Sequence, residues 1–328
     1  MKTFKTTTIL AIITSFIILS TNTMAMAGRS STYSKTKYPI LLVHGVLGFD
    51  TIAGMVDHWY GIPKKLKAGG AIVRQAKMSA LNNNDVRADQ LIEEIEDFLA
   101  YTGASKVNLI AHSHGSTTSR QAAYIRPELV ASLTTIAGPH KGAPVADFAS
   151  EQIPPSIQGI AFDAGDLVGE ILDLLSGNDG LSQSTEGMMI HFTQEGIQEF
   201  NEKYPCKGVP TKNSRNARGD EKETFYVNGQ PHTIKYYSWT GNAQKTNILD
   251  PDNNLWPVLH FVNMFYGTYE DDGLIGVNSS HLGMVLCDTY KWNHLDEINQ
   301  NLGIRKPFSA DPRNVIREHA NRLKMAGL

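Results

Sequence analysis

The stretch Lys106-Val107-Asn108-Leu109-Ile110-Ala111-His112-Ser113-His114-Gly115 decides the fold. Val107, Leu109 and Ile110 are strand formers, bracketed by Gly103 and Gly115. The strand ends in Ala-x-Ser-x-Gly and runs into a helical pattern from Gly115 to Tyr124. A serine on so sharp a strand-to-helix turn has the form of a nucleophile elbow. The turn requires small residues two places before and two after the serine, and Ala111 and Gly115 supply them. It lifts the Ser113 hydroxyl clear of the sheet and leaves the next N–H, that of His114, free to bind an oxyanion. The motif alone recurs by chance. Strand before and helix after give it weight.

Upstream, Tyr38-Pro39-Ile40-Leu41-Leu42-Val43 is an all-apolar run, the pattern of a parallel strand buried on both faces. It leads into His44-Gly45-Val46-Leu47-Gly48-Phe49. Gly45 lets the backbone turn so that the N–H of Val46 can point at a substrate oxygen, while the His44 ring is a candidate packing group. Ala71-Ile72-Val73 predicts a further strand. Asp85 to Tyr101 predicts a helix with Val86, Leu91, Ile92, Ile95, Phe98 and Leu99 on one face, capped by Asn84 or Asp85 and stopped by Gly103. Val130 to Ile136 reads as another buried strand. Alternation of strand and helix is the signature of a doubly wound α/β fold with a mostly parallel central sheet and helices on both faces.

Residues 1–27 read as a secretory leader: Lys2 and Lys5, an apolar run from Ile9 to Leu19, then the small-x-small site Ala25-Met26-Ala27. Residues 28–328 are then the mature domain. Thirty basic against 33 acidic residues give a net charge of −3, which becomes −5 when the leader takes two lysines with it. No basic block points to nucleic acid. Export makes an even pair of cysteines, Cys206 and Cys287, candidates for a disulfide.

After the Gly/Pro-rich loop Ala137–Pro144, apolar residues from Ile157 to Leu175 recur at helical spacing, softened by Gly159, Gly165 and Gly169. A helix of this kind, in a region of about 145–190, is the expected movable lid over an apolar cleft. From Tyr204 to Gln230 the chain reads as loops and a hairpin, and Thr233 to Thr240 as a strand. Asp311, Pro312 and the face Val315, Ile316, His319 and Leu323 predict a closing helix in which His319 is a packing residue.

A nucleophilic serine needs a base, and the base needs an acid to hold its tautomer, in the chain order Ser, acid, His. The residues alone leave two bases, His281 and His294, and three acids, Glu270, Asp271 and Asp272. Asp272 is the best placed, beside Gly273.

Four stretches carry a resemblance. They are His44–Asp50, Ala111–Gly115, Asp272-Gly273-Leu274 with Ser279–Met284, and Trp292-Asn293-His294-Leu295-Asp296-Glu297-Ile298-Asn299-Gln300. With the ending Ala320–Leu328, they make the mature chain similar to the secreted triacylglycerol lipases of bacterial lipase family I, the Pseudomonas/Burkholderia type, an α/β-hydrolase family. The resemblance implies Ser113 as nucleophile, Asp272 as orienting acid and His294 as base, with the N–H groups of Val46 and His114 as oxyanion hole. It implies one structural calcium ion held by Asp250, Asp296 and the backbone oxygens of Gln300 and Ile304. It implies work at a lipid–water interface, release by way of the periplasm and a dedicated foldase. Two departures stand out. Ala111 replaces a commoner glycine, and Asn278 lies where that family carries a cysteine, so a Cys206–Cys287 bridge is not inherited from it. A carboxylesterase acting on soluble esters and a non-catalytic hydrolase-fold binding protein are the competing readings.

Overall fold

The computed structural model describes residues 31–46, 48, 51–52, 56–155, 158–159, 163, 166, 181–250 and 255–328. The leader and nearly all of the expected lid helix, Ile157 to Leu175, lie outside the described residues.

The sheet grows from its most apolar strands. β1 (Ile40–Val43), β5 (Val107–His112) and β6 (Val130–Ile136) are buried at every position. Each fully buried Leu, Ile or Val contributes about 1.5–3 kcal/mol relative to exposure. Between β1 and β5 lie a short antiparallel pair, β2 (Thr51–Ile52) and β3 (Val56–Asp57), and β4 (Val73–Gln75). The strand order is β4-β1-β5-β6-β8-β7, with β9 pairing β8. Here β7 is Lys222–Val227, β8 is Gln230–Gly241 and β9 is Met284–Tyr290. Every pair in this sheet is parallel except the β7–β8 hairpin. Asn228 and Gly229 turn that hairpin, both at positive φ.

Alternate residues of β1 face two cores. Leu41 and Val43 join Leu91, Ile95 and Phe98 of α2 (Asn84–Thr102) and Ala122 of α3 (His114–Ile125). Ile40 and Leu42 join Ile62 and Leu66 of α1 (Ile62–Ala68) and Ile316 and Ala320 of α8 (Pro312–Met325). Helices therefore cover both faces, as the alternating pattern requires. Between α3 and α8 come α4 (Pro144–Gln152), α5 (Thr185–Phe192), α6 (Gln194–Lys203) and α7 (Leu255–Phe265). Among the described residues no helix is long and apolar enough to cross a membrane.

Two details differ from the sequence reading of α2. Asn83, one residue earlier than expected, accepts the capping bond from the Val86 N–H at 3.0 Å. The buried stripe runs through Asn84, Arg87 and Ala88 rather than Val86. Asn84 is instead buried and tied to Gln121 and Thr117 of α3. The closing helix matches its reading: Asp311 caps it, and His319 is buried with Nε2 2.7 Å from the Thr134 hydroxyl.

The expected disulfide is corrected. Cys206 and Cys287 are free thiols. Cys206 packs with Val209 and Phe225 against the α2–α3 side of the sheet, and Cys287 against the α1–α8 side. The sheet stands between them, whereas a bridge needs Cα atoms about 5.5 Å apart. Export and an even count say nothing about which face each thiol occupies.

Candidate active site

The elbow forms as its small residues demand. Ser113 adopts φ 54 and ψ −128 between β5 and α3. A non-glycine residue held there costs on the order of 1–3 kcal/mol. The surroundings hold it: its N–H donates to the Ile136 carbonyl at 2.9 Å, and its own carbonyl accepts from Ser116 at 2.9 Å. A methyl group at Gly115 would stand 2.6 Å from the backbone oxygens of Val43 and His44, so glycine alone lets α3 approach the end of β1. At Gly45 the same atom would lie 2.7 Å from Ser113 Cβ and 3.3 Å from its Oγ. That approach sets the Val46 loop beside the hydroxyl. The His114 N–H is among the first-turn amides that a helix leaves without an intrahelical acceptor.

The loop after β9 brings the candidate base. His294 Nε2 lies 2.9 Å from Ser113 Oγ, and His294 Nδ1 lies 2.7 Å from Asp272 Oδ2. The His294 backbone N–H donates to the Asp272 carbonyl at 3.0 Å, so main chain and side chain are held together. Asp272 Oδ1 accepts from the N–H groups of Leu274 (2.9 Å) and Ile275 (2.7 Å), which fixes the carboxylate plane. All three side chains are buried. A hydroxyl, an imidazole and a carboxylate in this line can pass a proton from oxygen to ring nitrogen and stabilise the imidazolium that results.

His281, the other candidate base, is placed elsewhere. Its Nε2 lies 3.1 Å from Asp288 Oδ2, and its Nδ1 faces Arg218 and the Ala217 carbonyl. Burial and Arg218 hold its pKa below the ordinary histidine value. The three candidate acids are also separated. Glu270 pairs with Arg215 at 2.5 Å, Asp271 with His260 at 2.7 Å and Asp272 with His294.

The histidines that pack around the serine are pushed toward their neutral form. Burial drives His44, His112 and His114 well below the ordinary histidine range and His58 down to about 3, with Arg87 adding to the effect on His44, His58 and His114. The His112 ring N–H donates to the His294 carbonyl at 3.0 Å, and the two rings lie 4.6 Å apart. His44 is the packing group foreseen, filling the space a Gly48 side chain would need. Glu297 is fully buried and accepts from Thr240 and Gly241. Burial first, then Asp272, pushes its carboxyl well above the usual range.

Sequence reasoning missed Arg87. It is buried in α2 and donates to the carbonyls of Ser79 and, at 2.7 Å, His44, the residue before Gly45. The signal was available: Arg87, Leu91, Ile95 and Phe98 share one helical stripe, and a charged member of a buried stripe has a polar task.

The two carboxylates expected to hold calcium, Asp250 and Asp296, lie close together, both bonded to Asn293 beside His294. Asp250 accepts from the side chains of Asn293 (2.7 Å) and Asn301 (2.8 Å). Asp296 accepts from the Asn293 N–H, while its Oδ1 is buried with no hydrogen-bond partner. Burial, aided by Asp250, pushes Asp296 up to about 7. The described residues hold no group of three or more His, Cys, Asp or Glu side chains fit for a metal. Two carboxylates with backbone oxygens suit calcium and not zinc.

A mostly parallel sheet with a serine elbow at its centre, an acid on the turn before β9 and a histidine on the loop after it defines an α/β hydrolase. A family model described as alpha/beta hydrolase fold matches residues 38–173. The chain is 45% identical to a triacylglycerol lipase of Vibrio cholerae, covering 93% of this chain and 94% of that one. It is 38% identical to a triacylglycerol lipase of Pseudomonas fragi over 89% and 98% of the two chains, and 36% identical to one of Burkholderia plantarii over 92% and 90%. The crystal structure of a Staphylococcus hyicus lipase shares the fold, with TM-score 0.60 and 18% identity over 92% of this chain and 99% of that one. The chain belongs to the bacterial triacylglycerol lipase family.

Proposed function

We propose that the protein is an exported lipase that hydrolyses acylglycerol esters by an acyl-enzyme route, with Ser113 as nucleophile, His294 as base and Asp272 as orienting acid. The observation that carries this reading is the unbroken line from Ser113 Oγ through His294 to Asp272, at 2.9 and 2.7 Å. As Ser113 Oγ attacks the ester carbonyl carbon, His294 Nε2 takes its proton, and Asp272 steadies the imidazolium at Nδ1. The N–H groups of Val46 and His114 receive the oxyanion. His294 then gives the proton to the departing glyceride oxygen. Water, deprotonated by His294, releases the fatty acid and restores Ser113.

Asp250 and Asp296, with the backbone oxygens of Gln300 and Ile304, are the proposed calcium ligands; the buried, unpartnered Asp296 Oδ1 supports this. When bound there, the ion would supply structure and no chemistry: Asp296 lies two residues beyond His294, so the ion would brace the loop that carries the base. The leader at 1–27 and the family membership support release through the periplasm to act at lipid–water interfaces, and the family resemblance adds a foldase.

The test is fatty-acid release from a triolein emulsion by the wild type and by Ser113→Ala. Release by the wild type and a loss on the order of 10⁶ in kcat for the variant are expected. Turnover confined to dissolved short-chain esters would point to a carboxylesterase instead.

A further inference from the structure

Of the three consecutive acids, the reaction uses only Asp272; Glu270 pairs with Arg215, yet Asp271 is held as fully as Asp272. Asp271 is fully buried. Its Oδ2 lies 2.7 Å from His260 Nδ1, and its Oδ1 accepts from the Gly273 N–H at 2.8 Å and the Gln244 amide at 3.1 Å. His260 comes from α7, where Trp256, His260 and Asn263 follow one another at helical spacing on one face. All three touch the acid turn. A side chain at Gly273 would meet Trp256 Cβ at 2.8 Å, so the tryptophan closes over the turn, and its ring lies 6.2 Å from that of His294. Asn263 donates to the Leu274 carbonyl at 3.2 Å. Asp272 takes its aim from the same turn, through the N–H groups of Leu274 and Ile275. Any rotation of residues 271–274 therefore swings the Asp272 carboxylate relative to His294.

We propose that His260 is a positioning residue: through the buried Asp271 it fixes the turn that points Asp272 at the base. The inference rests on the triad reading. Its physical basis is a charge-assisted bond in a buried setting, where the Asp271 carboxylate needs a donor in one direction and the turn amide fixes the other. Misplacing a group by about 1 Å at such a site costs on the order of 10²-fold in rate. A side chain that merely fills space in α7 would affect melting and leave turnover per folded molecule unchanged.

The experiment compares the wild type with His260→Ala, His260→Asn, Asp271→Asn and the His260→Ala/Asp271→Asn double variant. It uses a dissolved p-nitrophenyl butyrate substrate well below each melting temperature. His260→Ala is expected to lower kcat by about 10–100-fold with KM changed less than about twofold. His260→Asn sets an amide N–H near the place of Nδ1 and should recover most of that loss. Asp271→Asn, the milder change because it keeps an acceptor for Gly273, should also lose kcat alone. The double variant should be no worse than the worse single one, since both break one linkage. A kcat for His260→Ala within about twofold of the wild type, a loss seen only in KM, or no recovery by asparagine would overturn the proposal. Ser113→Ala, run alongside, separates the two levels. Activity retained there brings down the triad and this inference with it; activity lost there, with His260→Ala unaffected, brings down the inference alone.

Discussion

Two histidine–aspartate pairs lie close in sequence and differ in what surrounds them. His294 and Asp272 meet at 2.7 Å and His281 and Asp288 at 3.1 Å, and both histidines are buried. What separates them is the third partner. Beyond His294 stands a serine hydroxyl on a strained turn. Around His281 and Asp288 stand Arg215 and Arg218, which tie the 215–218 loop to β9. A histidine beside an acid is thus a proton relay only when its free nitrogen meets a nucleophile. With a guanidinium on that side, the same pair is a structural clasp.

The contrast is broken most directly by exchanging the losses. His294→Ala should lower kcat by on the order of 10⁶, matching the loss of the serine. His281→Ala should stay within about tenfold in kcat and instead cost about 1–3 kcal/mol of stability, by leaving Asp288 short of a partner. Steady-state kinetics and thermal melts on both variants check this, and the reverse ranking would mean that the base is misassigned.

Calcium sharpens the same comparison, because its proposed ligands brace the loop of His294 and lie away from the His281 clasp. At an ion concentration about a hundred times its Kd, binding adds roughly 2.7 kcal/mol to the folded state. Chelation should lower the melting temperature and the activity together, and added calcium should restore both. Asp250→Asn should reproduce the chelated state and lose most of its response to chelator. Unchanged melting and activity after long incubation with chelator at raised temperature would remove the ion from the account.

Much of this was readable from residues alone, for identifiable reasons. β1 is a continuous apolar run and β5 is one broken only by Asn108 and the closing His112, the pattern of strands buried on both faces. The elbow advertises itself because Ala111 and Gly115 are sterically forced by close approach of the chain. Asp311 and Pro312 mark the start of α8 by its capping chemistry. Other parts were hidden. α7 has no polar side to reveal its period: Leu255, Val258, Phe261 and Phe265 are exposed, while its inward face carries His260 and Asn263. β9 is half-buried along its length and shows no clean alternation. His281 and His294 were inseparable because their difference lies in Arg215 and Arg218, some 60–80 residues away in the chain. The cysteine pairing failed for a similar reason: sequence does not say on which side of the sheet a residue falls.

The central claim is that Ser113 is made nucleophilic by His294 and by no other histidine. It is tested most directly by labelling with a p-nitrophenyl phosphonate ester and locating the adduct by peptide mass spectrometry. One phosphonyl group per chain, on the peptide carrying Ser113, is expected for the wild type and for His281→Ala, with labelling at least about a thousandfold slower in His294→Ala. An adduct on another residue, or undiminished labelling of Ser113 without His294, would contradict the account.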